Sequence, residues 1–118
     1  MKTFAWSSLG KVKYGGEVYY GDIIVSSFQE VFPRQTDEEH TLTRSEVERS
    51  IDDGTKILMV GTGEYGVLKV PAEVKEYCKK NKIKLVVGPT REIIEKYNKK
   101  MRRRGRKPGI TVILHVER

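Results

Sequence analysis

The sequence predicts an α/β fold: a compact single domain over residues 1–118, with a central mixed β-sheet flanked by helices and a β-hairpin region near its N-terminal end. Three observations carry this. The apolar runs Ile57-Leu58-Met59-Val60, Leu85-Val86-Val87 and Ile110-Thr111-Val112-Ile113-Leu114 read as strands covered on both faces. The segments between them place apolar residues at helical spacing, so the second half reads β-α-β-α-β. Ahead of these, polar and apolar residues alternate around Gly15-Gly16, the signature of a hairpin.

In order along the chain, Lys11-Val12-Lys13-Tyr14 and Glu17-Val18-Tyr19-Tyr20 form the two arms of that hairpin. The primed two-residue turns need positive φ, which glycine supplies without steric cost. The alternation is expected to put Val12, Tyr14, Val18 and Tyr20 on one face. Asp22-Ile23-Ile24-Val25-Ser26 reads as a further strand, and the polar stretch Phe28–His40, with Pro33, as a long excursion. A helix is expected from Thr43, because Thr43 and Glu46 match a capping box and Leu42 and Val47 a hydrophobic staple. Gly54 is its expected stop. Lys56–Val60 is the next strand. Pro71 opens a second helix at its first position, with Val74, Tyr77 and Cys78 on one face. Lys84–Gly88 reads as another buried strand. Thr90 is the expected cap of a third helix, whose Ile93, Ile94, Tyr97 and Met101 make a core stripe and which Gly105 and Pro108 end. Ile110–Leu114 is the last strand.

One cysteine, Cys78, excludes an internal disulfide framework and argues against a Cys-based zinc site. No apolar run reaches the ~20 residues that cross a bilayer, and no charged-then-apolar leader opens the chain, so no membrane association and a cytoplasmic location are expected. The net charge of +7 is local. Lys99, Lys100, Arg102, Arg103, Arg104, Arg106 and Lys107 supply seven of the 23 Lys and Arg; the remaining 16 equal the 16 Asp and Glu. A third of the residues are charged against two Gln and two Asn, a balance that resembles thermophile composition.

The candidate ligand site is the loop Gly61-Thr62-Gly63-Glu64-Tyr65-Gly66, where a buried strand ends in three glycines. It satisfies G-x-G-x-x-G, but the dinucleotide fingerprint requires a helix directly after the last glycine, and here Val67–Val70 and Pro71 intervene. No Lys-Ser/Thr ending marks a P-loop, so no cofactor is predicted. The remaining reading is a glycine nest for a small anion, with Gly61, Thr62 and Gly63 as its frame, the Thr62 hydroxyl as a donor, and Arg34 or His40 closing over it. His40 lies in a polar loop; His115 alternates with Leu114 and Val116 and is expected to face away from the core. The two histidines show no metal-ligand spacing, so no metal site is predicted. Cys78 reads as a buried, inert side chain, and Ser7-Ser8 lacks the nucleophile-elbow motif. The run Lys99–Lys107 offers phosphate contacts to nucleic acid; against this, it has no interleaved aromatics and sits at a helix C-terminus, where the dipole favours cations.

The order of these segments resembles a family of small α/β proteins that includes a mitochondrial respiratory complex I assembly factor and an adipogenesis-associated protein, with many microbial members. The resemblance rests on Gly16–Tyr20 leading to Asp22-Ile23-Ile24-Val25, on Phe32-Pro33-Arg34 followed by His40, on Gly61-Thr62-Gly63 at a strand end, on Thr90-x-Glu92 leading to Tyr97-Asn98, and on a final strand bearing His115. It implies a single α/β domain with a mixed sheet, and it supplies no catalytic residue, cofactor or substrate. This chain has Ile93 where many relatives carry a small residue, and Val116-Glu117-Arg118 where many carry a cysteine, so no thiol role transfers to that tail.

No complete acid–base, nucleophile or metal constellation is legible, which favours a non-catalytic binding or assembly protein with a protein partner over an enzyme. The alternatives are a small-anion or ligand site at Gly61–Gly66, catalytic or not, and non-specific nucleic-acid binding through Lys99–Lys107.

Overall fold

The computed structural model describes residues 2–36, 38–104 and 109–116; the backbone, but not the side chain, of Arg104 is included. Among the described residues, eight strands and three helices follow in the order β1 (Phe4–Ser8), β2 (Lys11–Tyr14), β3 (Glu17–Tyr20), β4 (Ile23–Val25), β5 (Val31–Pro33), α1 (Arg44–Ser50), β6 (Ile57–Gly61), α2 (Ala72–Lys80), β7 (Lys84–Gly88), α3 (Thr90–Arg104) and β8 (Ile110–Leu114). They make a three-stranded antiparallel sheet, β1-β2-β3, and a mixed five-stranded sheet, β5-β4-β8-β6-β7.

The β-α-β-α-β half forms as its apolar runs predict. β6 lies between β8 and β7 and runs parallel to both. Its side chains alternate between two cores. Leu58 and Val60 pack with Val74 and Cys78 of α2, while Ile57 and Met59 pack with Ile93, Tyr97 and Met101 of α3. An unbroken apolar run is the residue pattern that such two-sided cover requires. β7 is the exception: it is an edge strand and Val87 is 40% exposed, so the buried strand expected at Lys84–Gly88 is half open.

The hairpin turn is as expected, with Gly15 and Gly16 both at positive φ. The expected shared face is not. Tyr14 pairs with Glu17 and Val12 with Tyr19, so Val18 and Tyr20 lie opposite Lys13 and Lys11. A two-residue turn pairs even positions with odd ones. Val12 and Tyr14 are therefore buried, whereas Val18 and Tyr20 face outward. On the inner face Phe4, Tyr14 and Tyr97 pack in tilted and edge-to-face contacts with centroids 4.5–6.0 Å apart, and the hydroxyls of Tyr14 and Tyr97 share a 2.8 Å hydrogen bond. The Asn98 amide bonds to both the N–H and the C=O of Phe4, joining the small sheet to α3.

Four further expectations change. Phe28–His40 contains β5, antiparallel to β4 despite Pro33, because an edge strand needs no outward N–H from proline. The Thr43 side chain caps α1 by accepting from the Glu46 amide, but the helix ends at Ser50, before Gly54. Pro71 is the cap residue of α2 with extended backbone, one position ahead of the expected one. Thr90 lies inside α3, and its hydroxyl is engaged elsewhere, as described below. Gly105 and Pro108, the expected end of α3, lie outside the described residues.

Candidate functional site

The two crossovers diverge over β6. The β6–α2–β7 connection covers one face of the sheet, and β7–α3–β8 covers the other. The carboxyl ends of β6 and β7 therefore flank a topological switch point, the place where open α/β sheets bind ligands. Gly61 and Gly88 end those two strands, and on the other flank of β6 the His115 amide donates to the Gly61 carbonyl at 2.9 Å.

On the α3 side the Gly61–Gly66 loop turns its first polar groups inward. The Thr62 amide and hydroxyl donate to the Gly88 carbonyl at 2.9 and 3.2 Å. The Gly63 amide donates to the Thr90 hydroxyl at 2.9 Å, and that hydroxyl donates to the His115 carbonyl at 2.6 Å. The cleft beside them, lined by Ser7, Ser8, Glu64, Thr90, Arg91 and Val116, encloses about 20 Å³. That is room for about one water.

On the opposite side a charged network is buried. Asp22 extends β4 by one residue and shares the inward parity of Ile24. Arg34 follows β5 and pairs with it across the ladder, its amide donating to the Asp22 carbonyl. The Arg34 guanidinium donates through Nη1 to Asp22 at 2.8 Å and through Nε to Glu46 of α1 at 2.5 Å. The side chains of Arg34 and Glu46 are each 1% exposed. Burial alone would lower the Arg34 pKa; the Glu46 and Asp22 carboxylates outweigh it and raise the value. Asp22 also accepts from the Val116 amide at 2.8 Å and meets His115 Nδ1 at 2.7 Å.

Burial pushes the Asp22 pKa up, but the bonds from His115, the Val116 amide and Arg34 together hold it down to about 2. An ionised carboxylate only accepts, so His115 Nδ1 carries the shared proton and, in the neutral ring, Nε2 keeps its lone pair. His115 is 2% exposed, which corrects the expectation that it faces away from the core. Its Nε2 finds no hydrogen-bond partner among the described residues. The His40 ring meets it edge-on at 6.0 Å.

The structure thus gathers Arg34, His40 and Gly61 around Asp22 and His115, while Thr62 and Gly63 make their bonds on the α3 side. By sequence Asp22 is given only a place in a strand and Glu46 only a place in a capping box, and neither is named as a site residue. Their only signal is position: Asp22 precedes an apolar strand in phase with its inward residues, and Glu46 precedes buried Val47. In the basic segment, Lys99, Arg102 and Arg103 are exposed on α3 and Lys100 is half-buried; the side chain of Arg104, and Arg106 and Lys107, lie outside the described residues.

Because the folded-state pKa of Asp22 is below the ordinary 3.8, its ionisation stabilises the fold above about pH 4. That contribution, about 2 kcal/mol, is lost as pH falls toward 2. Urea unfolding at pH 5 and pH 2 is expected to show a smaller acid loss for Asp22→Asn than for the wild type. Identical losses would remove Asp22 as the titrating group.

A family model described as "Protein of unknown function (DUF498/DUF598)" matches residues 7–113. The chain belongs to this family. The DUF498/DUF598 fold recurs in solved structures. The protein MT938 is 26% identical over 100% of both chains, with a TM-score of 0.80. A conserved hypothetical protein of Pyrococcus horikoshii OT3, PH1505, is 24% identical over 98% of this chain and 99% of that one, with a TM-score of 0.79. A Bartonella henselae protein described as an outer membrane protein is 16% identical over 98% and 94%, with a TM-score of 0.77. In this DUF498/DUF598 member, no helix among the described residues is long and apolar enough to cross a membrane.

Proposed function

We propose that this chain is a non-catalytic binding or assembly protein, acting as one unit in the cytoplasm and holding a protein partner against the β5 edge of its sheet. One observation carries the reading. Phe28 and Phe32 are 71% and 48% exposed and line a groove of about 330 Å³ between β4, β5 and α1, together with Ile24 and Ile51. Paired aromatics around a groove are what protein partners anchor on. Val31-Phe32-Pro33 ends in a proline with no N–H, which blunts the edge against strand pairing. The partner therefore inserts apolar side chains and adds no strand here. The resemblance to the family that contains a complex I assembly factor supports the assembly half of the reading.

Both aromatics are exposed, so Phe28→Ser/Phe32→Ser should change stability little, by roughly 0.5 kcal/mol per site. The immobilised wild-type chain is expected to retain a stoichiometric partner from native lysate, and the double variant is expected to lose it. Retention of the same protein by the variant, or nothing above background with the wild type, overturns the reading.

A further inference from the structure

The other edge of the sheet is built differently. Among the described residues, β7 is its last strand and pairs only with β6. The Lys84 amide donates to the Lys56 carbonyl, and the Gly88 carbonyl accepts from the Thr62 amide, each at 2.9 Å. Since alternate residues of a parallel strand bond to the same neighbour, Leu85 and Val87 turn their backbone N–H and C=O toward the open side. No proline interrupts this edge before Pro89. Open edges of this kind invite strand pairing and are normally blunted or covered.

Beside the edge runs a groove of about 440 Å³, with Ile83, Leu85 and Val87 as its floor and Lys75, Cys78 and Lys79 as its wall. Lys75 and Lys79 are exposed and stand one turn apart on α2, with exposed Lys82 and Lys84 following. None of the four forms an ion pair with a described residue. Like charges one turn apart repel each other. The dipole favours Lys79 in the last turn of α2, and a negatively charged occupant of the groove would meet both lysines.

We infer that the β7 edge takes an acidic, extended segment of a partner protein as an added strand. Its main chain bonds to Leu85 and Val87, one apolar side chain enters the groove, and carboxylates on the same face meet Lys75 and Lys79. Strand addition supplies affinity through the backbone and specificity through alternate side chains. The charge pattern decides against a second copy of this chain, because pairing two β7 edges brings both lysine sets together. The surface is at the opposite edge of the sheet from the Phe28–Phe32 groove and stands independently of it.

The probe is a short fluorescein-labelled peptide with glutamate, valine and glutamate at every second position and threonine between them, so that the acids and the valine share a face, titrated with the full chain and read by anisotropy. Saturable binding is expected, weakened about tenfold or more by Lys75→Glu/Lys79→Glu, as for lost charge complementarity at an interface. A matching peptide with lysine in place of glutamate is expected not to bind. The acidic peptide methylated at alternate main-chain nitrogens should also bind about tenfold more weakly, and this arm leaves the protein unaltered. Binding of the methylated or the lysine peptide within about twofold of the parent, or no binding of the parent at low salt, overturns the inference. So does a wild-type dimer that Val87→Pro converts to monomer in sedimentation.

Discussion

Arg34→Met is expected to lower the unfolding free energy by about 3–5 kcal/mol, the cost of leaving buried charge without its partner. The guanidinium stands between Asp22 and Glu46 with its side chain 1% exposed, so its removal strands one carboxylate that is fully buried and another that is largely so. Water cannot replace it at Glu46, whose side chain is also 1% exposed. The same reasoning predicts the remedy. Arg34→Met combined with Asp22→Asn and Glu46→Gln removes every charge of the triad at similar volume and should recover most of the loss, since well-packed neutral substitutes for buried ion pairs are often neutral in stability. Denaturant unfolding followed by ellipticity measures both. A single variant within about 1 kcal/mol of the wild type would mean that solvent reaches the triad.

Gly61→Ala is expected to cost about 2–3 kcal/mol by overpacking. The added methyl would lie 2.7 Å from a Leu114 methyl, 2.8 Å from the Thr90 hydroxyl and 3.0 Å from the Thr90 Cα. The leucine can rotate away. The Thr90 backbone cannot, because it opens α3 and its hydroxyl bridges the Gly63 amide and the His115 carbonyl. The substitution therefore drives α3 off the end of β6. Thermal unfolding reads the effect, and a melting temperature within about 2 °C of the wild type would show that the contact relaxes without cost.

The fold's second half was legible because local pattern and tertiary environment agree there. Residues 57–60 are apolar without alternation because two helices cover them, and Ile93, Ile94, Tyr97 and Met101 share a face because one core receives them. The hairpin was legible in its turn and not in its faces. Two glycines announce the loop, but the face assignment depends on the pairing of Tyr14 with Glu17. β5 was hidden by Pro33, which argues against an interior strand and says nothing against an edge. The charged network was legible only in pieces. Arg34 and His40 stood out as polar residues in a loop, but Asp22, Glu46 and His115 come from three separate parts of the chain. Their meeting is a property of the sheet order β5-β4-β8, which places residues 22 and 115 within 2.7 Å across 93 positions of sequence. No local window contains that information.

The Asn98 amide that grips Phe4 from 94 positions away also sets a schedule. Synthesis at about 5–20 residues per second delivers that clasp roughly 5–20 s after the first strand emerges. Until then the amino-terminal ribbon has nothing to lie against, and Phe4 and Tyr14 wait in water for Tyr97. Whatever shelters nascent chains must guard those two rings through the interval, until α3 emerges and the ribbon docks on it.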